Sequence, residues 1–139
     1  MIRILITGHG DHSDPEFVKH VLNYYMSNIT DKSLSNYVFV HGGCPSRNIN
    51  GESVDMIAHW YAKLNGIGID CFPPNVERDG DDAFRIRNQA MVDSGINFCL
   101  AFPDGESPGT WQTVEMARKA KIHTRVFERP ELTDDLISG

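Results

Sequence analysis

The sequence predicts a doubly wound α/β domain, with one parallel five-stranded sheet and helices on both faces. Three observations carry this. Short apolar runs alternate with segments whose apolar residues recur at helical spacing, in the order β-α-β-α-β-α-β-α-β. The first run, IRILIT at 2–7, is nearly all apolar, which suits a strand covered on both sides. Gly and Pro gather where the runs end. The chain, 1–139, reads as a single domain, with 128–139 as a frayed tail or short helix.

Each element has its own justification. The first strand ends in the turn Gly8-His9-Gly10. Asp14-Pro15-Glu16 then offers an N-cap, a first-turn proline and a first-turn acid, before Phe17, Val18, Val21, Leu22 and Tyr25 at helical spacing. A polar connector, 30–36, leads to a second strand at 37–40 and the turn His41-Gly42-Gly43-Cys44-Pro45. The loop runs on through 47–51, longer than most strand-to-helix connections. Gly51 or Ser53 starts the next helix, with Val54, Ile57, Ala58, Tyr61 and Leu64 on one face and Gly66 just past its end. A third strand, 67–72, is stopped by Pro73-Pro74, and 75–80 reads as loop. Asp81 or Asp82 caps a helix carrying Phe84, Ile86, Ala90 and Met91, which ends by Gly95. The fourth strand at 97–102, the turn 103–108 and a helix opening at Gly109-Thr110 come next, then a fifth strand at 123–127. Trp60, Tyr61 and Trp111 read as core or interface residues, and Trp111 is also placed to stack on a base.

In such a sheet, ligands sit beyond the carboxyl ends of the strands, where the strand order reverses. For the order 3-2-1-4-5 that crevice lies between the first and fourth strands. Their ends carry Thr7-Gly8-His9-Gly10 and Pro103-Asp104-Gly105 with Gly109-Thr110, and the neighbouring second strand adds Gly42 and Gly43. Three glycine-bearing loops meeting at one edge indicate a binding site. Strand, flexible loop and helix start, as in 97–110, also make a phosphate cradle, because first-turn N–H groups lack intrahelical partners. Arg85, Arg87 and Asn88 supply one or two side chains to clamp a phosphate or carboxylate over the crevice.

Composition bounds the partner. Nineteen acidic and thirteen basic residues give a net charge of −6, which disfavours a nucleic-acid polymer but not a small anion held locally. No apolar run is long enough to span a bilayer and no signal peptide opens the chain, so a cytoplasmic protein without a membrane partner is expected. Cys44, Cys71 and Cys99 form neither a zinc motif nor a disulfide framework. Cys71 and Cys99 read as core residues and Cys44 as an exposed loop thiol. His9, Asp11, His12 and Asp14, with His41 nearby, raise a metal-dependent hydrolase as one alternative. Their spacing matches no zinc motif, and no metal or other cofactor is expected.

Several pieces together resemble the SLOG superfamily. They are Ile4-Leu5-Ile6-Thr7-Gly8, Val40-His41-Gly42-Gly43, Ala58-His59-Trp60-Tyr61-Ala62, 87–92 (RNQAMV) and Leu100-Ala101-Phe102-Pro103 with Gly109-Thr110-Trp111. SLOG proteins are Rossmann-like and related to the LOG phosphoribohydrolases and to DprA. The likeness is to the small DUF2493 (YspA/YpsA-related) group, often found in phages. It implies a nucleotide-derived ligand: phosphate at Gly109-Thr110, with Gly42, Gly43, Arg87 and Asn88 completing the pocket. It also makes a homodimer plausible. LOG enzymes cleave nucleoside monophosphates at the N-glycosidic bond with an arginine, matched by Arg87, and a glutamate, whose position holds Gln112. A LOG-like N-glycosidase would therefore need a carboxylate from Asp104, Glu106 or Glu115. The leading expectation is a binding protein that senses or sequesters a nucleoside monophosphate, an ADP-ribose-like molecule or a signalling nucleotide.

Overall fold

The computed structural model describes residues 1–29, 33–43 and 53–128. Part of the 30–36 connector, the loop with Cys44 and Gly51, and the tail beyond Glu128 lie outside the described residues.

Five strands form one all-parallel sheet in the order β3-β2-β1-β4-β5. They are β1 (Ile2–Gly8), β2 (Tyr37–His41), β3 (Gly68–Cys71), β4 (Phe98–Phe102) and β5 (His123–Val126). Strand order reverses between β1 and β4, as expected. The helices are α1 (Pro15–Ser27), α2 (Val54–Asn65), α3 (Val76–Asp79), α4 (Ala83–Val92) and α5 (Pro108–Lys119).

Successive side chains on a strand point to opposite faces, and this sorts the core into two layers. Ile4, Ile6, Phe39, Leu100 and Phe102 pack with Val18 and Leu22 of α1 and with Val54, Ile57 and Ala58 of α2. Leu5, Val40 and Cys99 pack with Met91 and Val92 of α4 and Ala117 of α5. The central strand is covered on both sides: Ile4, Leu5 and Ile6 are fully buried. Each such side chain contributes roughly 2 kcal/mol by leaving water.

The caps follow the sequence. The Asp14 carboxylate accepts from the Phe17 N–H at 3.1 Å, and the Ser53 hydroxyl from the Met56 N–H at 3.1 Å. Gly66 ends α2 in the left-handed region at φ 71°. Two expectations are corrected and one is narrowed. Residues 75–80, expected as loop, hold α3 and the start of a 3-10 turn (Gly80–Asp82), because the Asn75 side chain accepts from the Arg78 N–H at 3.0 Å and nucleates a turn. Trp60, expected in the core or at an interface, is half exposed, which removes the core alternative. Cys71 is disulfide-bonded, and its half-buried place at the end of β3 is no core position. Cys99 is a buried thiol as expected, and burial pushes its pKa up to about 12.

Candidate functional site

A crevice of about 370 Å³ opens at the carboxyl edge of the sheet. Its floor is the end of β1, Ile6 to Gly10, with Gly42 and Gly43 beyond β2. One wall is the start of α2; the other is α4 with the start of α5. The pleat explains why three floor positions are glycine. A Cβ at Gly8 would run into the Val54 side chain at the first turn of α2, and one at Gly42 into the Arg87 guanidinium of α4. A Cβ at Gly43 would lie 2.6 Å from the Asp55 carboxylate of α2. These glycines let two helices close onto the strand ends. Gly109 differs, since a Cβ there would meet nothing within 4 Å.

The start of α5 is built for an open end. Ser107 occupies the N-cap position but gives the helix no side-chain cap. Its hydroxyl instead accepts from the Asp104 N–H at 2.9 Å and donates to the Asp104 carbonyl at 2.8 Å. No acidic residue stands in the first turn. Gly109 and Thr110 line the crevice there. Thr110 is 4% exposed and Thr7, across the floor, 8%, and neither hydroxyl has a hydrogen-bond partner among the described residues.

On the α4 part of the same wall, Arg87 braces the site. Its Nη1 donates to the Gly42 carbonyl and, at 3.2 Å, to that of Phe72, and its Nε donates to the Asn88 side-chain oxygen at 2.8 Å. Asn88, nearly buried, in turn donates to Gln112 at 3.3 Å. Arg87 thus ties the ends of β2 and β3 to α4, with Nε and Nη1 both engaged by acceptors among the described residues.

Behind the floor, His41 is fully buried with its Nε2 3.1 Å from His59 Nδ1. Burial, then the nearby His59 and Arg87, lower its pKa to about 4. His59 is also lowered, by burial and Lys63.

Of the residues expected from sequence, Thr7, Gly8, His9, Gly42, Gly43, Arg87, Asn88, Gly109 and Thr110 all line this crevice. Pro103 and Gly105 do not. Gly105 turns the loop tip at φ 55°, and both line a separate recess of about 120 Å³ beside Asp104 and Trp111. Arg85 lies outside as well, 3.7 Å from Asp82 on the exposed side of α4. Trp111 faces away from the crevice, and the aromatic ring at its mouth is Phe84. Asp55, Met56 and Phe84 were missed as site residues. Their signal was present in part: Asp55 and Met56 follow the long loop after β2, and Phe84 lies one turn before Arg87.

Three of the candidate metal ligands, His9, His12 and Asp14, accept hydrogen bonds from nearby backbone. His9 Nδ1 accepts from the Asp11 N–H and His12 Nδ1 from the Asp14 N–H, each at 2.9 Å. Asp14 caps α1, and among the described residues no three His, Cys, Asp or Glu side chains gather as a metal site. Of the carboxylates considered for catalysis, Glu106 lines the crevice while Glu115 faces away on α5. Asp104 accepts from the Ser13 N–H at 2.6 Å. Burial raises its pKa, but this bond and the nearby His12 and His9 bring it below the usual value.

The Gene 61 protein of Mycobacterium phage D29 is 32% identical to this chain over 126 residues, which cover 88% of the chain and 93% of the phage protein. The chain belongs to that phage protein's family. The alignment takes in most of the domain, so the family likeness extends well beyond any one of its loops. No protein-family model matches the chain, and no solved structure does. Among the described residues, no helix is long and apolar enough to cross a membrane.

Proposed function

We propose that this protein binds a phosphate-bearing nucleotide derivative in the crevice, as a sensor or sequestering protein of the SLOG type acting in the cytoplasm. Candidate ligands are a nucleoside monophosphate, an ADP-ribose-like molecule and a signalling nucleotide. One observation carries the reading: the start of α5 has no side-chain cap and no first-turn acid, yet it opens on a cavity lined by the largely buried Thr110. Uncapped first-turn N–H groups at the positive end of a helix dipole favour an anion. Gly109, with open space above it, lets that anion reach the backbone. Phe84 at the mouth provides a face for a base. Arg87 acts mainly as a brace, its charge adding to the positive potential of that wall. As in the resemblance, a homodimer accompanies this reading.

Calorimetric titration tests it. Nucleoside 5′-monophosphates and ADP-ribose should bind the wild-type protein about a hundredfold more tightly than the corresponding nucleosides, since each charge-assisted phosphate bond adds roughly 1.5–3 kcal/mol. Gly109→Val should remove that advantage without lowering the melting temperature. Equal binding of nucleosides and nucleotides would sink the proposal.

The N-glycosidase alternative retains one supporting observation, Glu106 in the crevice. Gln112, at the glutamate position of the LOG enzymes, does not ionise and is bonded to Asn88. Chromatography of each nucleotide after incubation separates the two readings. Intact nucleotide fits a binding protein, and released base fits the enzyme.

A further inference from the structure

The two helix starts that face the crevice have opposite character. The start of α5 is uncapped and carries no acid in its first turn. The start of α2 is closed by the Ser53 hydroxyl and carries Asp55 in its first turn. A carboxylate there complements the α2 dipole and repels a second anion. An anionic group entering the crevice therefore has one favourable end, at α5.

Asp55 is half buried on the α2 wall and lines the crevice. It is set against backbone that has no side chain: a Cβ at Gly43 would stand 2.6 Å from its carboxylate. The glycine gives the carboxylate room beside the floor. An ionised carboxylate only accepts hydrogen bonds, and its two oxygens suit a pair of neighbouring donors. A ligand whose phosphate lies at α5 thus meets an acceptor on the facing wall, while Phe84 and Met91 on α4 offer apolar contact. In a nucleotide, the group between phosphate and base that carries adjacent donors is the ribose, with its vicinal 2′- and 3′-hydroxyls.

We propose that Asp55 accepts the vicinal ribose hydroxyls and makes the site selective for ribo- over 2′-deoxyribonucleotides. This rests on the nucleotide reading above and goes beyond it by assigning the sugar and the residue that selects it.

The probes are the four ribonucleoside 5′-monophosphates and their 2′-deoxy counterparts, titrated calorimetrically into the wild type, Asp55→Ala and Asp55→Asn. The wild type should prefer the ribo form of whichever base binds best by about tenfold or more, the worth of one good hydrogen bond to a charged acceptor. Asp55→Ala should bring that ratio to about one and should also weaken the deoxy form by about tenfold, because that form keeps its 3′-hydroxyl. Asp55→Asn keeps the shape, so an intermediate ratio at an unchanged melting temperature separates lost recognition from lost folding. A wild-type ratio near one, or an unchanged ratio in Asp55→Ala, overturns the assignment. If Gly109→Val still abolishes binding of both forms in that case, the nucleotide reading survives and only the Asp55 role falls. Failure of all eight nucleotides to bind the wild type overturns both.

Discussion

The starts of α2 and α5 stand at the same sheet edge, face the same crevice and are built differently. At α2, Ser53 turns its hydroxyl inward to its own helix, Val54 packs on Gly8, and the Val54 N–H donates to the His9 carbonyl at 3.2 Å. At α5, Ser107 turns its hydroxyl back to the preceding loop, and nothing crowds Gly109. One start is satisfied by the chain itself. The other leaves its first-turn N–H groups facing the cavity. The same residue type at the same position can close a helix or leave it open, and the difference lies in what the preceding loop asks of the hydroxyl. Asp104 makes that demand at α5.

The contrast can be broken where the closed start is seated. Gly8→Val should have the largest effect, a loss of about 4 kcal/mol in denaturant unfolding, because the new side chain meets Val54, which has no free volume to enter. A loss below about 1 kcal/mol would mean that α2 is not held to β1 in this way.

A second handle is pH, through the His41–His59 contact that joins the end of β2 to α2. His41 is held neutral in the fold, with its pKa lowered to about 4 from 6.5. The unfolded chain therefore binds the extra proton first, and stability should fall as pH drops from about 6.5 towards 4, by at most about 3 kcal/mol. Asp70 pulls the other way, Arg87 adds to the shift, and Lys63 lowers the neighbouring His59. His41→Gln should flatten that part of the profile. A wild-type midpoint that does not move between pH 7 and 5 would show that burial does not hold this imidazole neutral.

The smallest effect sharpens the comparison. Ser53→Ala removes the α2 cap and should cost about 1 kcal/mol in urea unfolding. It should leave affinity for phosphate-bearing ligands unchanged, the reverse of Gly109→Val. If Ser53→Ala instead weakened phosphate binding, the two starts would not be functionally distinct.

Much of this was legible before any coordinates. Strand ends announce themselves through glycine, and the β-α alternation fixed their common edge, so Thr7, Gly8, Gly42, Gly43, Gly109 and Thr110 could be placed together. Helix faces were harder. Arg85 and Arg87 differ by two positions, and only the packing of α4 against α5 decides that Arg87 turns inward and Arg85 meets Asp82 outside. Asp55 and Phe84 lay hidden for a related reason: spacing shows that residues share a face, not which neighbour that face will meet. In the loop after β4, only Glu106 to Pro108 reach the crevice, whereas Pro103 and Gly105 lie beside Trp111, a division that composition does not show. α3 was missed because four residues are too few for periodicity to register.

The position of β1 has a consequence for how the protein comes into being. The first strand is central and pairs with β4, so Arg3 donates its N–H to Asn97 across 94 residues. Such pairing is slow, since a long stretch of chain must be confined before the contact forms. On a ribosome, β1, α1, β2 and α2 emerge together and can associate early as a half-domain. The crevice cannot exist at that stage, because its second wall is made by residues after Asp82. Through most of its synthesis the nascent chain therefore carries glycine-rich strand ends with no cavity between them. The crevice takes shape only when the last third of the polypeptide has left the exit tunnel and folded beside the first strand.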